Sequence, residues 1–190
     1  RTREEFHAAR SLAVLFSPEI SLADPAVVRP AWQWPCLGLP ALSQWQDKPS
    51  WAARLAALYS LTLGKPRVLV VSVESLLLRY MPVNFFHTRT LELGKGSDYA
   101  PELLLEQAVE WGYERVAMVT RPGEMARRGD ILDLYPSGYA RPVRLEFFGD
   151  TLEEMRFFDA ETQRSLQGCD ELTLLPVSPL AFDARETEAT

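Results

Sequence analysis

Paired cysteines, clustered histidines, a phosphate-cradling loop and any long apolar run are all missing from this chain. Its two cysteines, Cys36 and Cys169, stand far apart, and its two histidines, His7 and His87, are just as isolated. Neither spacing suits a metal site or a disulfide framework, so reduced thiols are expected. Phosphate cradling needs a glycine-rich loop ending in Gly-Lys-Ser/Thr where a helix begins. Gly64-Lys65-Pro66 follows a helical pattern instead of opening one, and Gly94-Lys95-Gly96 lacks the rest of the motif, so both read as turns. The apolar stretches at 67–73 and 74–80 are broken by charge, far short of the roughly 18–20 apolar residues of a membrane span. No secretory signal is present, and Arg1 opens the chain inside a helical pattern, so the sequence reads as a piece of something longer. With both histidines isolated from any candidate serine or cysteine nucleophile, a hydrolytic triad lacks its raw material. Glu153-Glu154 and the series Glu102, Glu106, Glu110 suit solvated faces. The chain therefore predicts no catalytic centre, cofactor or metal of its own.

What is present is a soluble-type composition, 47% hydrophobic and 24% charged over 190 residues, enough for one ordinary domain or two small ones. Charge is uneven. Residues 1–82 hold nine Lys/Arg against six Asp/Glu, net +3, whereas 83–177 hold ten against seventeen, net −7. A net-acidic segment has no footprint for phosphate backbones unless its arginines cluster on one face.

The charge change coincides with a change of pattern. Residues 3–16 carry Phe6, Ala9, Ala13 and Phe16 at helical spacing, stopped by Ser17-Pro18. Six of the fourteen prolines fall in 18–50 together with Trp32, Trp34 and Trp45, which predicts a loop-rich but aromatic-anchored stretch with a short strand at 36–39. Ser50 is placed to cap a helix over 51–63, with Leu55, Leu58 and Thr62 inward and Gly64 just past its end. The near-continuous apolar run 67–73 predicts a strand buried on both faces, followed by a short helix over 74–80. From there the expected elements are a strand at 86–93, a helix from Pro101 to Trp111 opened by Asp98 and ended by Gly112, and a strand at 115–120. A closing strand is expected at 171–175.

Between the last two strands, three alternating segments separated by Pro/Gly/Asp turns predict an antiparallel meander over 127–164. In 143–148, alternation sends Val143, Leu145 and Phe147 to one face and Arg144, Glu146 and Phe148 to the other. The first set is a core face. The second joins a large aromatic to charges, a combination that packing does not need but that interface hot spots favour. Register follows from keeping the core face apolar: a three-residue loop, Gly149 to Thr151, pairs Leu145 with Met155 and Val143 with Phe157. The residues alone thus predict a protein-docking face on a small sheet.

The strings R-G-D-I-L-D-L-Y-P (128–136), V-R-L-E-F-F-G-D (143–150) and F-D-x-E-T-Q-R (158–164) resemble the UvrB-like module of bacterial nucleotide excision repair. That module is shared by the damage-loading helicase UvrB and the transcription-repair coupling factors. The stretch 67–76, followed by Met81-Pro82, is similar to the segment that precedes the second domain in both. Residues 33–50 lack the long Tyr-rich hairpin of UvrB, and Arg54-Leu55, Leu58-Tyr59 and Leu61 resemble the coupling factors' R-L-x-x-L-Y-x-L helix.

The resemblance implies a truncated, degenerate helicase-like (RecA-type) α/β domain without a phosphate loop at 1–82. It implies a mixed α/β domain with an antiparallel sheet at 83–177, then a linker or the start of a further domain at 178–190. It implies that the second domain recruits UvrA through Arg128, Arg144 and Phe148, with Glu146 orienting Arg144 and Arg127 adding long-range attraction; a bulge at Gly129 would bring Arg128 onto the face. It places RNA polymerase, double-stranded DNA, ATP and Mg with other parts of a bacterial cytoplasmic translocase. Two alternatives stay open: a fragment of UvrB itself, and a non-specific DNA-binding module built on residues 1–82.

Overall fold

The computed structural model describes residues 36–39, 48–64, 68–71, 73 and 81–179. The helices expected at 3–16 and 74–80 lie outside the described residues, as do the three tryptophans of 32–45 and the tail from 180.

The first elements form a β-α-β unit. Strand β1 (Cys36–Leu39) and strand β2 (Val68–Val71) pair in parallel, Leu37 opposite Leu69, and helix α1 (Lys48–Thr62) connects them. The helix starts at Lys48, so Ser50 lies within its first turn and does not cap it. Pro49 tolerates that position because the first-turn N–H groups have no intrahelical acceptor anyway. Ala52, Leu55, Ala56 and Ala57 are its buried apolar side chains, while Leu58 and Thr62 are half-buried. The expected stripe is thus rotated toward the small residues. Leu58 and Thr62 instead line an apolar cavity of about 360 Å³ with Leu39, Leu69 and Phe86.

Two expected strands take other forms. Residues Asn84–His87 form a helical turn, α2, and only Leu91–Gly94 is extended, as strand β3. The turn lets Arg89 lie 4.8 Å over the Phe85 ring and Thr90 donate its hydroxyl to the Phe86 carbonyl (2.7 Å), contacts an extended chain would lose. Of the strand expected at 115–120 only Arg115 is extended, in the two-residue strand β4 (Glu114–Arg115). The chain beyond it is drawn into a loop by the Glu124 carboxylate.

Helix α3 (Pro101–Glu110) begins with Pro at N1 and ends where Gly112 takes φ +92°. Leu104, Ala108 and Trp111 are buried as expected. Asp98 does not cap it; its carboxylate accepts the Thr151 hydroxyl at 2.7 Å.

The main sheet has six strands in the order β4, β5 (Glu124–Arg128), β6 (Ile131–Leu134), β7 (Val143–Phe148), β8 (Thr151–Phe158) and β9 (Ser165–Gly168). It is mixed, because β4 runs parallel to β5 while the other neighbours are antiparallel. Strand β10 (Glu171–Leu174) pairs antiparallel with β3 in a separate two-stranded sheet. One face of the main sheet supplies Met125, Leu132, Leu134, Val143, Leu145, Phe147, Leu152, Met155 and Phe157 to a core shared with α3, β3, β10 and Ala52 and Ala56 of α1.

The β7–β8 register confirms Leu145 opposite Met155 and Val143 opposite Phe157, by a different device from the expected one. The turn holds two residues, Gly149-Asp150, with Phe148 opposite Thr151. Gly149 takes φ +60° and Asp150 no positive φ, the pattern of a type II′ hairpin turn. A register shift beyond Phe147, opposite Leu152, leaves Glu153 as the extra residue and restores the apolar pairing.

Candidate functional site

The opposite face of the main sheet carries the candidate residues. Cross-strand partners stand side by side on one face, giving the rows Arg128–Ile131–Glu146–Glu154 and Ala126–Asp133–Arg144–Arg156. Phe148 follows Glu146 on the same side of β7, whose burial alternates strictly from Val143 to Phe148. At 76% exposure Phe148 is the most exposed of the large hydrophobic side chains among the described residues. The amide of its neighbour Phe147 donates to the Asp130 carbonyl (2.9 Å), which ties the β5–β6 turn to this end of β7.

Half of this face is covered. The loop after β4 folds over it, packing Val119 and Val116 on Ala126, Phe158 and Tyr135. The Glu124 carboxylate holds that loop: Oε2 accepts the Thr120 amide (2.7 Å), the Thr120 hydroxyl (3.0 Å) and the Arg121 amide (2.9 Å), and Oε1 accepts Arg121 Nε (3.1 Å). Burial works against ionisation of Glu124, but the bonds from Thr120 and Arg121 outweigh it and hold its pKa below the ordinary value. Met118 stays 48% exposed at the loop's crest.

Arg144 sits at the border between the covered and open halves. Its Nε and Nη2 donate to Asp133 Oδ1 (2.7 Å) and Oδ2 (2.9 Å), a two-point fork. Its guanidinium carbon lies 4.9 Å from the Phe158 ring centroid. Hydrogen bonding to Asp133 raises its pKa against the opposing effect of burial. The expectation that Glu146 orients Arg144 is therefore corrected: Glu146 pairs with Arg156 at 3.2 Å, and Asp133 fixes Arg144. Asp133 is the residue that sequence reasoning missed. Its position between Leu132 and Leu134 puts it on Arg144's face, but only the β6–β7 register brings the two opposite each other.

The two neighbouring arginines part company. Arg128 is exposed on the candidate face and donates from Nη2 to the Ala117 carbonyl at 3.0 Å. It arrives there by a tight turn in place of a bulge: Gly129 (φ +63°) and Asp130 separate β5 from β6, with Arg128 opposite Ile131. Arg127 points to the other face, opposite Leu132, where Nη2 donates to Glu102 Oε1 of α3 (2.6 Å) and Nε to the Gly129 carbonyl (3.1 Å). Arg128, Arg144, Glu146 and Phe148 thus share one face, and Arg127 stands apart as a clasp between sheet and helix.

Little else has chemistry to offer. Among the described residues no group of three or more His, Cys, Asp or Glu is placed to hold a metal ion, and no helix is long and apolar enough to cross a membrane. Burial pushes the Cys169 thiol up to about 11, which leaves it protonated and unreactive at neutral pH. Lys95, in the second glycine-flanked turn, is engaged by Glu154 at 2.8 Å.

Residues 91–179 match the UvrB interaction domain family. The chain is 35% identical over 176 residues to the transcription-repair-coupling factor of Escherichia coli (strain K12), an alignment covering 93% of this chain and 15% of that protein. It is 31% identical over 187 residues to that of Haemophilus influenzae, covering 98% of the chain and 15% of the relative. With that of Bacillus subtilis (strain 168) it shares 33% identity over 135 residues, 71% of the chain and 12% of the relative. The chain therefore spans about 15% of the length of the curated relatives it matches.

Proposed function

Because residues 91–179 belong to the UvrB interaction domain family, within a chain homologous to the N-terminal region of the transcription-repair-coupling factors, we propose that it is a docking module for the repair protein UvrA. The observation that carries this reading is Phe148, 76% exposed on a strand whose alternate side chains are fully in the core. An aromatic held in water by a strand gains apolar burial on docking, and the paired backbone beneath it has little conformational freedom left to lose. Arg128 and Arg144 flank it on the same face and supply charge-assisted hydrogen bonds to the partner.

In this reading the chain divides into a degenerate RecA-type half-domain over 1–82, a UvrA-binding domain over 83–177 and, at 178–190, a linker or the start of a further domain. The module itself performs no catalysis. It serves a bacterial cytoplasmic protein that moves on double-stranded DNA with ATP and Mg, displaces stalled RNA polymerase and hands the lesion to excision repair, all through regions beyond this chain. Titration of the chain with purified UvrA tests the proposal. Saturable binding without added nucleotide is expected, and the absence of binding at micromolar concentrations refutes it.

A further inference from the structure

The two arginines beside Phe148 have the same side chain and opposite electrostatic settings. The Arg144 charge is matched at hydrogen-bond distance by Asp133, whose side chain is 3% exposed against 18% for Arg144. Arg128 is exposed, donates to a backbone carbonyl, and is in no ion pair among the described residues. A charge paired at about 3 Å acts on distant groups only as a dipole, whose field decays faster than that of a lone charge. Arg144 therefore contributes little to long-range attraction, whereas Arg128 contributes fully.

Position adds a second distinction. The fork to Asp133 uses Nε and Nη2, two of the five N–H bonds of a guanidinium, and leaves three N–H groups outside the fork on a side chain that is still 18% exposed. The Phe158 ring, itself fully buried, lies beneath the guanidinium at 4.9 Å. Fork and ring together set both the position and the plane of the group before any partner arrives. A carboxylate approaching those remaining donors would also approach the Asp133 carboxylate, whereas a neutral carbonyl or amide oxygen meets no such repulsion.

We propose that Asp133 is a positioning residue that converts Arg144 from a free cation into a pre-aimed hydrogen-bond donor for a neutral acceptor on the partner, leaving Arg128 to meet an acidic group. The inference rests on the UvrA reading and deepens it. Steering charges act mainly on association rate and its salt dependence, and desolvated, oriented bonds act mainly on dissociation rate.

The test is the kinetics of the full chain binding purified UvrA at several salt concentrations, with melting temperature recorded for each variant. Arg128→Ala is expected to slow association severalfold and flatten its salt dependence, and Arg128→Lys to keep most of the wild-type rate. Arg144→Lys keeps the charge but loses the fork, and is expected to speed dissociation by about tenfold with the wild-type salt dependence retained. Asp133→Asn unmasks the Arg144 charge and is expected to steepen the salt dependence, a change that mere loss of stability would not produce. Should Asp133→Asn fail to fold, the contrast between Arg144→Lys and Arg128→Ala decides the matter. Wild-type dissociation in Arg144→Lys, or equal salt effects of Arg144→Ala and Arg128→Ala, overturns the inference alone; failure of the wild-type chain to bind overturns the UvrA reading as well.

Discussion

Arg144 illustrates how a residue can be both a contact and a structural member. Truncating it strips a partner from a carboxylate that is 3% exposed, and leaving a buried charge unpaired costs about 3–5 kcal/mol. Arg144→Ala is therefore expected to lower the melting temperature substantially, and Asp133→Ala combined with Arg144→Ala to recover much of the loss. A double-mutant cycle by thermal denaturation checks this, and additive losses would contradict it. Binding defects in Arg144→Ala alone consequently mix folding with docking. Phe148 carries no such ambiguity, because little of it is buried. At this scale alternation along β7 was enough to place Arg144 and Phe148 on the outer face. It could not say which acid meets which base, since that depends on neighbouring strands: Glu146 went to Arg156 and Arg144 to Asp133. Nor could it separate Arg127 from Arg128 until the Gly129 turn fixed where β5 ends.

At the scale of elements, turns and loops hold the surprises. The three-residue step from Leu152 to Met155, both fully buried, is the mark a bulge leaves in an alternating strand. Adding it to a two-residue turn reconciles a short hairpin with an apolar inner face. The loop after β4 escaped notice because its cause, one glutamate accepting four hydrogen bonds, lies at the start of the next strand. Glu124 has a folded pKa below the ordinary glutamate value of 4.5. Its contribution is therefore complete above about pH 4.5 and is lost as pH falls through the lower folded value. Glu124→Gln is expected to cost about 1–2 kcal/mol at pH 7, a deficit that shrinks toward pH 3. Melting curves across that range check it, and a deficit independent of pH would contradict it. Two glycines provide a further contrast. A Cβ at Gly112 would sit 2.5 Å from the Ser178 Cβ at φ +92°, whereas one at Gly149 meets nothing within 4 Å at φ +60°. Gly149→Ala is expected to cost only the backbone penalty of an L-residue at the first central position of a type II′ turn, about 1–3 kcal/mol. Gly112→Ala adds a clash and should melt clearly lower; equal melting temperatures would count against this packing.

For the molecule as a whole, sequence and structure agree on a mixed α/β architecture with a buried sheet face. The six-stranded order was not legible, because β4 is two residues long and joins the sheet in parallel, which no alternation can announce. The contribution of α1 was also hidden. Its Ala52 and Ala56 enter the core beneath the main sheet, and the Ser137 hydroxyl donates to the Ala52 carbonyl. A fragment of residues 83–179 is therefore expected to melt several degrees below the full chain, and equal melting would refute that coupling. The rigidity of the whole matters to function, since a docking face is only as well aimed as the sheet that carries it. The central claim is that this sheet presents Phe148 to a partner. The most direct measurement is the affinity of Phe148→Ala for purified UvrA, with melting temperature as control. The account predicts an unchanged melting temperature and a loss of about 2 kcal/mol, roughly 30-fold in affinity; wild-type affinity in that variant would contradict it.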